Sequence, residues 1–374
     1  MSANSTGNAT GAVSTAAPAA SSTAGEAHAP AARARIMPAP DLPNPETGPS
    51  LRWGILGSGW IAAQFVAALR ASTNQRVVAV GSRSLARAQE FADEHDIAEA
   101  YGSYEELVAS DVDIIYVATG HLDHFAHATL ALGAGKPVLV EKPMTPRYSE
   151  SLELVELARS RGLFAMEAVW SLALPRYSVV RQVLDRGLLG EVVEVYANLG
   201  ERLVDHHRAM DPAQGGGAMN DIGTYVMMFA NEVLPGLRVL AAHGTRHATS
   251  GISGPGAIGQ FHALLADDRD RQATVSASML ADTPTTAYIA GTEATLVFEA
   301  PFYQPGSLVL RFRDGEELRY DEPTLAHTQL FWEAVEAARC IDAGLTESPL
   351  RPLDQTLATI SLMEQARKLM GDPA

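Results

Sequence analysis

The chain has 374 residues, of which 47% are hydrophobic and 19% are charged, and this composition predicts a globular protein of about two domains. Its formal net charge of −16 excludes nucleic acid as an expected partner, and no apolar run of about 18 residues is present that could cross a membrane. Because Cys340 is the only cysteine and no Cys/His spacing typical of a metal site occurs, we expect a reducing, cytoplasmic location and no bound metal.

Residues 1–50 consist mainly of Ala, Ser, Thr, Pro and Gly, with few bulky apolar side chains. Such a segment cannot bury enough apolar surface to offset the entropy lost on ordering, so we predict a disordered arm. A secretory signal would need basic residues ahead of an apolar core. Here the first basic residue is Arg33 and prolines follow it closely, so the arm is not predicted to direct secretion.

Residues 51–169 alternate short apolar segments with helical ones, which predicts βαβ units and a parallel sheet covered on both faces. In the helix SLARAQEFADEHD, the spacing places Leu85, Ala88, Phe91 and Ala92 on one face. Another helix follows the first strand and ends at about Leu69. Three more are predicted in YEELVAS, HFAHATLALGAG and SESLELVELARSRG. The predicted strands are LRWGILG, RVVAVGS, VDIIYVAT, KPVLVE and LFAMEA.

Residues 170–374 follow a different pattern, because strand-like runs succeed one another with few helices between them. Closely spaced strands favour an antiparallel or mixed open sheet, so we predict a second domain of the α+β class with a mainly antiparallel open sheet. Helices are expected from Pro175 to Gly187, around Asp221 to Asn231, and in the final segments LFWEAVEAARCIDAG and LDQTLATISLMEQARKLMG. These last two helices could pack back on the first domain. The predicted strands are EVVEVYANL, RVLAAHGT, GAIGQFHALL, QATVSASML, TTAYIAG, ATLVFEA and SLVLRFRD.

The first strand leads into a glycine turn that fits the G-x-G-x-x-G/A pattern with Gly57, Gly59 and Ala62. A strand before the turn, a helix after it and a second strand about 20 residues on form the context of a dinucleotide-binding Rossmann domain. In that context Gly57 permits the tight turn, Gly59 admits a pyrophosphate and Ala62 lets the helix pack on the sheet. The helix N-terminus then offers its free N–H groups to the phosphates.

The end of the second strand decides which dinucleotide is expected. Enzymes that prefer NAD usually carry Asp or Glu there, bonded to the ribose hydroxyls. This strand instead ends in Gly81, Ser82 and Arg83, and a guanidinium with a neighbouring hydroxyl can bind a 2′-phosphate. We therefore predict NADP(H) in preference to NAD(H), the alternative being that Arg83 is an ordinary exposed arginine.

Lysine is rare in this chain, and one of its three lysines, Lys142, follows the strand KPVLVE and precedes a proline. Ligands of open parallel sheets lie beyond the carboxyl ends of the strands, so Lys142 is predicted to face the same crevice as the glycine turn. An ammonium there can bond a ribose or substrate hydroxyl and lower the pKa of a neighbouring acid.

A second candidate site lies in the segment DPAQGGGAMNDIGTYVMMF. Asp221 and Tyr225 are four positions apart on a predicted helix, and residues at that spacing share a helix face. Together they could form an acid–base site behind the glycines at 215–217. The alternative is that Asp221 caps the helix and Tyr225 belongs to the core.

From about Leu51 to Gly371 the chain resembles the glucose–fructose oxidoreductase/inositol dehydrogenase family. The motifs that carry the resemblance are GILGSGWIA, VATGHLDHFAHATLALGAGKPVLVEKP and GGGAMNDIGTY. The segment LFAMEAVWSLALPRY, and a tyrosine where the family more often has a histidine, resemble the subgroup of dimeric dihydrodiol dehydrogenase and NADP-dependent D-xylose dehydrogenase. The resemblance implies a C-terminal open sheet that often mediates dimers, so a homodimer is expected.

The resemblance also implies residue roles. Lys142 would contact the nicotinamide ribose and the substrate, Tyr225 would be catalytic, and Asp221 would match the aspartate of the same helix. Gly120 departs from the family, which commonly has proline there. The predicted cofactor-binding residues are Gly57, Ser58, Gly59, Trp60, Ile61, Ser82, Arg83, Thr119, His124, Glu141 and Lys142, and the predicted substrate contacts are Arg208 and Trp170.

These residues lead to a mechanistic hypothesis of reversible hydride transfer between the nicotinamide and a carbinol carbon of a sugar or cyclic diol, such as D-xylose or a trans-dihydrodiol. Tyr225 takes the hydroxyl proton, and the Lys142 ammonium lowers its pKa from the usual value near 10. Two alternatives stay within the family, namely reduction of an anhydro-ketose and oxidation of an inositol. A third belongs to another class, a non-catalytic sensor or assembly protein that binds NADP(H).

Overall fold

The N-terminal domain of the computed structural model, which describes residues 34–248, 251, 254, 256–323, 325 and 328–372, is built on a parallel sheet. Its six strands have the order β3-β2-β1-β4-β5-β6, and every neighbouring pair runs parallel. The Rossmann architecture predicted from the sequence is therefore confirmed. The strands are β1 (Arg52–Leu56), β2 (Arg76–Gly81), β3 (Glu99–Tyr101), β4 (Ile114–Val117), β5 (Val138–Glu141) and β6 (Ala165–Ala168).

Helices follow most of these strands and cover both faces of the sheet. In α2 the side chains of Ala88, Phe91 and Ala92 are buried as predicted, whereas Leu85 at the first position is 56% exposed. The predicted apolar face therefore begins one turn later than the spacing indicated. The helices of this domain are α1 (Trp60–Ser72), α2 (Leu85–Glu94), α3 (Tyr104–Val108), α4 (His124–Gly133) and α5 (Tyr148–Arg161).

The strand order places three loops at one point. Strand β1 lies between β2 and β4, so the chain direction across the sheet reverses there. The glycine turn after β1, the loop after β4 and the segment after β5 all leave the carboxyl edge of the sheet at this switch point, where open α/β sheets bind their ligands. The backbone N–H of Gly57 donates to the carbonyl of Gly81, which ties the turn to the end of β2.

The C-terminal domain contains an open sheet of eight strands in the order β14-β13-β12-β11-β7-β10-β9-β8. Among the described strands of this second sheet, only β7 and β10 pair in parallel, so the predicted mainly antiparallel sheet is confirmed. Strand β14 was not predicted, because its four residues, ELRY, are polar and lie at the sheet edge. The strands are β7 (Val192–Gly200), β8 (Arg238–His247), β9 (Ala257–Ala266), β10 (Gln272–Ser278), β11 (Ala287–Gly291), β12 (Ala294–Phe298), β13 (Leu308–Phe312) and β14 (Glu317–Tyr320).

Helices α6 (Pro175–Asp185) and α7 (Thr224–Val233) belong to this domain, and α7 packs on β7 and β10. The last helices, α8 (Phe331–Asp342) and α9 (Leu353–Leu369), return to the first domain, where α8 contacts α1 and α9 contacts α5 and β6. No helix in the described part of the chain combines the length and apolar character needed to cross a membrane.

A buried ion pair attaches the start of α9 to the first domain. The guanidinium of Arg351 donates to the carboxylate of Glu167 at 2.7 Å, and both side chains are almost fully buried. The other oxygen of Glu167 accepts the backbone N–H of Met144 at 2.9 Å. One carboxylate thus joins β6, the segment after Lys142 and the approach to α9. Removing either partner would leave an uncompensated buried charge, so the pair fixes the backbone beside the crevice.

The predicted disordered arm divides into two parts. Residues 1–33 lie outside the described residues. Farther on, Arg35 forms ion pairs with Asp314 and Glu316 at 2.5 and 2.8 Å, beside the turn between β13 and β14. The backbone N–H of Asp41 donates to the Ser178 hydroxyl on α6 at 2.9 Å. The expectation of disorder therefore does not describe residues 35–50, whose polar groups find partners on the folded chain.

Candidate active site

The glycine turn has the geometry that a dinucleotide requires. Gly57 has a φ of +104°, and a Cβ there would lie 2.6 Å from the carbonyl oxygen of Ala118, so a side chain is excluded. Around Gly59, in contrast, nothing lies within 4 Å of the position of a Cβ. The N-terminus of α1 therefore opens onto free space, where its N–H groups can bind a pyrophosphate. The residues present fit a bound nicotinamide dinucleotide.

A cleft extends from this turn along the carboxyl edge of the sheet and carries an excess of positive charge. The arginines Arg83, Arg87 and Arg208 line it, and the only carboxylate among its described lining residues is that of Asp123. Arg87 was missed by sequence reasoning, although it stands four positions after Arg83 in the first turn of α2. Six predicted cofactor residues come together here, namely Gly57, Ser58, Gly59, Ser82, Arg83 and Thr119.

The other five predicted cofactor residues, Lys142 among them, do not line the cleft. Trp60 and Ile61 lie in the first turn of α1, and Trp60 is exposed. The buried Glu141 accepts hydrogen bonds from the Tyr116 hydroxyl and from the N–H of Lys142, so it anchors the turn after β5. His124 is fully buried, with Nδ1 2.9 Å from the carbonyl oxygen of Pro143 and Nε2 3.3 Å from that of Thr119. Glu141 and His124 therefore hold the loops after β4 and β5 in place.

Lys142 connects the two domains. Its ammonium donates to the backbone carbonyl of Asp221 at 2.5 Å. The same Nζ lies 5.1 Å from the centre of the Tyr225 ring. The three residues predicted to be catalytic come from two motifs and are neighbours here, although 79 positions separate Lys142 from Asp221.

Tyr225 is a buried phenol whose oxygen accepts a hydrogen bond from Nε1 of Trp170 at 3.0 Å. Burial, together with the nearby carboxylate of Glu141, holds the pKa of Tyr225 well above its ordinary value. The expected lowering of this pKa by Lys142 is therefore wrong for the resting protein, because desolvation outweighs the ammonium. Trp170, predicted as a substrate contact, donates to the Tyr225 hydroxyl.

Asp221 occupies a turn of π-helix, Met219–Gly223, that precedes α7. Asp221 therefore lies in a wider turn than predicted, which runs directly into the α-helix that carries Tyr225. Asp221 Oδ1 lies 4.0 Å from Nε2 of His121, and Oδ2 is buried without a hydrogen-bond partner among the described residues. Burial raises the pKa of Asp221 to about 6, against the opposing effect of Lys142.

His121 was not identified from the sequence, although it stands three positions before His124 in the motif GHLDH. Its Nδ1 lies 3.3 Å from the carbonyl oxygen of Gly215, and because a carbonyl can only accept, the ring proton resides on Nδ1. Burial and the neighbouring charges of His124 and Lys142 hold the pKa of His121 well below its usual range. A neutral ring thus directs the Nε2 lone pair towards Asp221, and both groups can accept a hydrogen bond from a ligand hydroxyl.

Replacing Asp221 with asparagine is expected to stabilise the protein above about pH 6. A pKa raised from 3.8 to about 6 contributes stability below about pH 4 that is lost as the pH rises through 6. At 1.36 kcal/mol per pKa unit, the carboxylate costs the folded state at most about 3 kcal/mol above that window. Urea unfolding should show the variant more stable than the wild type at about pH 8, with the difference shrinking towards about pH 4. The same substitution at the exposed Asp205 is the control, and a difference independent of pH would contradict the assignment.

Two family models match the chain. Residues 51–168 match an oxidoreductase family with an NAD-binding Rossmann fold (GFO/IDH/MocA). Residues 177–297 match the C-terminal domain of the same family. The first match contains the glycine turn and Lys142, and the second contains Asp221 and Tyr225.

Trans-1,2-dihydrobenzene-1,2-diol dehydrogenases are similar to this chain along nearly their whole length. The Bos taurus protein is 36% identical over 335 residues, which cover 86% of this chain and 97% of the relative, and the Homo sapiens protein is 36% identical with the same coverage. A solved 3-ketoreductase from Actinomadura kijaniata, in complex with NADP and TDP-benzene, is 26% identical with a TM-score of 0.74, over 86% of this chain and 98% of that one. A levoglucosan dehydrogenase in complex with NADH and levoglucosan shares the fold, with a TM-score of 0.77 and 15% identity over 87% of this chain and 98% of its own.

Proposed function

This chain belongs to the GFO/IDH/MocA family of NAD(P)-dependent oxidoreductases, as its motifs predicted, and we propose that it oxidises and reduces a carbinol carbon of a sugar or cyclic diol with NADP(H). The proposal depends on one observation, which is that three groups lie together near the dinucleotide cleft. They are the ammonium of Lys142, the buried phenol of Tyr225 and the carboxylate of Asp221, whose pKa is raised. A bound nicotinamide would supply or accept the hydride, and the protein provides the proton transfer and the orientation of the substrate.

The phenol and the ammonium divide the proton chemistry between them. Tyr225 is neutral at rest, so it donates its proton to the substrate oxygen during reduction and becomes a phenolate. Oxidation runs in reverse and requires the phenolate, which takes up the proton of the carbinol hydroxyl. The Lys142 ammonium lies beside the ring and stabilises the negative charge that develops on either oxygen. The Trp170 N–H adds a donor to the Tyr225 oxygen, which favours the phenolate when it forms.

Asp221 and His121 support a substrate with a second hydroxyl. The Asp221 carboxylate and the His121 Nε2 lone pair are acceptors 4.0 Å apart, and Asp221 Oδ2 is buried without a donor among the described residues. An unpaired buried acceptor is costly, and a neighbouring hydroxyl of a diol or sugar would satisfy it. The names of the relatives, which include a diol dehydrogenase and a 3-ketoreductase, agree with this substrate class.

The proposal is tested with the purified full-length protein by the absorbance of reduced nicotinamide. NADP and NAD are each offered with D-xylose, D-glucose, inositols and cyclic trans-diols, and NADPH with an anhydro-ketose. Turnover with a vicinal diol or a sugar supports the proposal, and the preferred compound identifies the substrate class. Tight binding of NADPH without turnover of any compound would instead favour a sensor.

Arg83 and Arg87 are proposed to select NADP(H) through its 2′-phosphate. Both line the cleft at the end of β2, next to the buried Ser82, whereas the one carboxylate among the described lining residues, Asp123, follows β4 and not β2. Alanine at either position is expected to weaken NADPH binding by about 10-fold or more, the scale of a charged hydrogen bond, and to leave NADH binding unchanged. Cofactor fluorescence titration measures both affinities. Arg70→Ala on α1 is the control, and equal loss for both cofactors would contradict the assignment.

The open face of the second sheet is the surface proposed for a homodimer. Cross-strand neighbours Leu264, Thr274, Tyr196, Tyr288 and Val297 form one row across five strands of this face. The rings of Tyr196 and Tyr288 stack with their centres 5.3 Å apart, and Leu264 is 37% exposed. Such a broad apolar row is typical of an association surface. A mass of one chain in solution would contradict this proposal.

A further inference from the structure

Arg208 lies at the dinucleotide cleft, although it belongs to the C-terminal domain. It lines the same cleft as the glycine turn and Arg83. Its Nη2 lies 3.8 Å from the position that a Cβ on Gly120 would occupy. Gly120 follows the end of β4, next to the turn after β1. Arg208 therefore faces the cleft of the glycine turn, and its charge also acts on the nearby His121 and Asp221.

The charge of Arg208 is available to a ligand. Its side chain is exposed, and no carboxylate of the described residues lies within ion-pair distance of it. Arg202 on the same loop provides a contrast, because its guanidinium pairs with Asp205 at 2.5 Å. A planar guanidinium without a carboxylate partner, placed at a cleft, is suited to bind phosphate oxygens.

The glycines at 215–217 fix the position of this arginine. A Cβ at Gly216 would lie 2.4 Å from the carbonyl oxygen of Ala209 and 2.7 Å from that of Arg208. The N–H of Gly217 donates to the Ala209 carbonyl at 2.7 Å. Glycine at 216 therefore lets the backbone of Arg208 pack directly against the turn that leads into Asp221.

Given the proposed binding of NADP(H), we infer that Arg208 binds the cofactor pyrophosphate from the C-terminal domain, across the cleft from the glycine turn. Arg83 and Arg87 lie at the end of β2, where the 2′-phosphate is expected, whereas Arg208 approaches the loops after β1 and β4. The cofactor thereby contacts both domains. Because the Arg208 loop continues through Gly217 to the N–H of Asp221, a bound pyrophosphate also steadies the turn that carries this carboxylate.

The test is the affinity of the full-length protein for NADPH and for NADH, measured by cofactor fluorescence. Arg208→Ala is expected to weaken both by about 10-fold or more, because the pyrophosphate is common to the two cofactors. Gly216→Ala, which displaces the Arg208 backbone, should weaken both in the same direction. Arg202→Ala, on the same loop, should change neither, and Arg83→Ala should affect NADPH alone.

Three results would overturn the inference. A loss confined to NADPH would place Arg208 on the 2′-phosphate, and unchanged affinities with a raised KM for the carbinol substrate would restore the substrate role. Unchanged affinities and an unchanged KM would leave Arg208 without a ligand. If the wild-type protein binds neither cofactor, the proposed function fails and the inference falls with it, an outcome that the wild-type titration alone identifies.

Discussion

Tyr225→Phe is expected to lower turnover by about 100-fold or more, the usual scale for the loss of a general acid–base group. The substitution removes only the hydroxyl, so the ring keeps its place in the core and its contact with Tyr303, whose ring centre lies 4.8 Å away. The phenol oxygen is the acceptor of the Trp170 N–H, and its ring lies beside the Lys142 ammonium, where the substrate oxygen is expected. Steady-state turnover with the preferred substrate measures the effect.

Affinity for NADPH should be unchanged in Tyr225→Phe, because the hydroxyl does not line the cofactor cleft. Tyr303→Phe is the matched control, since it removes a neighbouring phenol oxygen that accepts a hydrogen bond from Gln304. The control should retain most of the turnover. Near-normal turnover in Tyr225→Phe would remove this residue from the mechanism and leave Asp221 as the candidate for proton transfer.

Lys142→Arg is expected to lower turnover on a similar scale of about 100-fold, although the positive charge is retained. The ammonium donates to the Asp221 carbonyl at 2.5 Å and lies 5.1 Å from the centre of the Tyr225 ring. A guanidinium is larger and planar, so it cannot keep both relationships within the same space. The loss should appear in kcat, because stabilisation of the developing oxyanion acts on the transition state.

Lys368→Arg provides the control for this exchange, because Lys368 is exposed near the end of α9, where either cation is solvated. Lys142→Met tests the charge itself and should be at least as impaired as the arginine variant. Retention of full turnover in Lys142→Arg would mean that any cation suffices at the position. The rarity of lysine in this chain would then carry no information about the site.

Local signals were sufficient for the parts of the molecule that lie within one supersecondary unit. The alternation of apolar strands and helices defined the parallel sheet, and the glycine turn located the cofactor end of the cleft. Lys142 could also be placed, because a residue that follows a parallel strand must lie at the carboxyl edge of the sheet. These predictions depend on the geometry of one strand, turn and helix, which contacts with distant segments change little.

The errors arose where a contact joins distant segments. The hydrogen bonds of His124 and Glu141 go to partners such as Pro143 and Tyr116, which spacing alone does not reveal. The link between Trp170 and Tyr225 spans 55 positions. Burial was also underestimated, because the desolvation that raises the pKa of Tyr225 depends on tertiary packing.

The most direct test of the proposed function is the fate of deuterium placed on the carbinol carbon of the best substrate. The substrate is incubated with NADP and the wild-type protein, and the reduced cofactor is analysed by mass spectrometry. Direct hydride transfer predicts NADPH that carries one deuterium per turnover, with little formed by Tyr225→Phe. Reduced cofactor without deuterium, or no reduced cofactor from any sugar or diol offered, would contradict the proposed function.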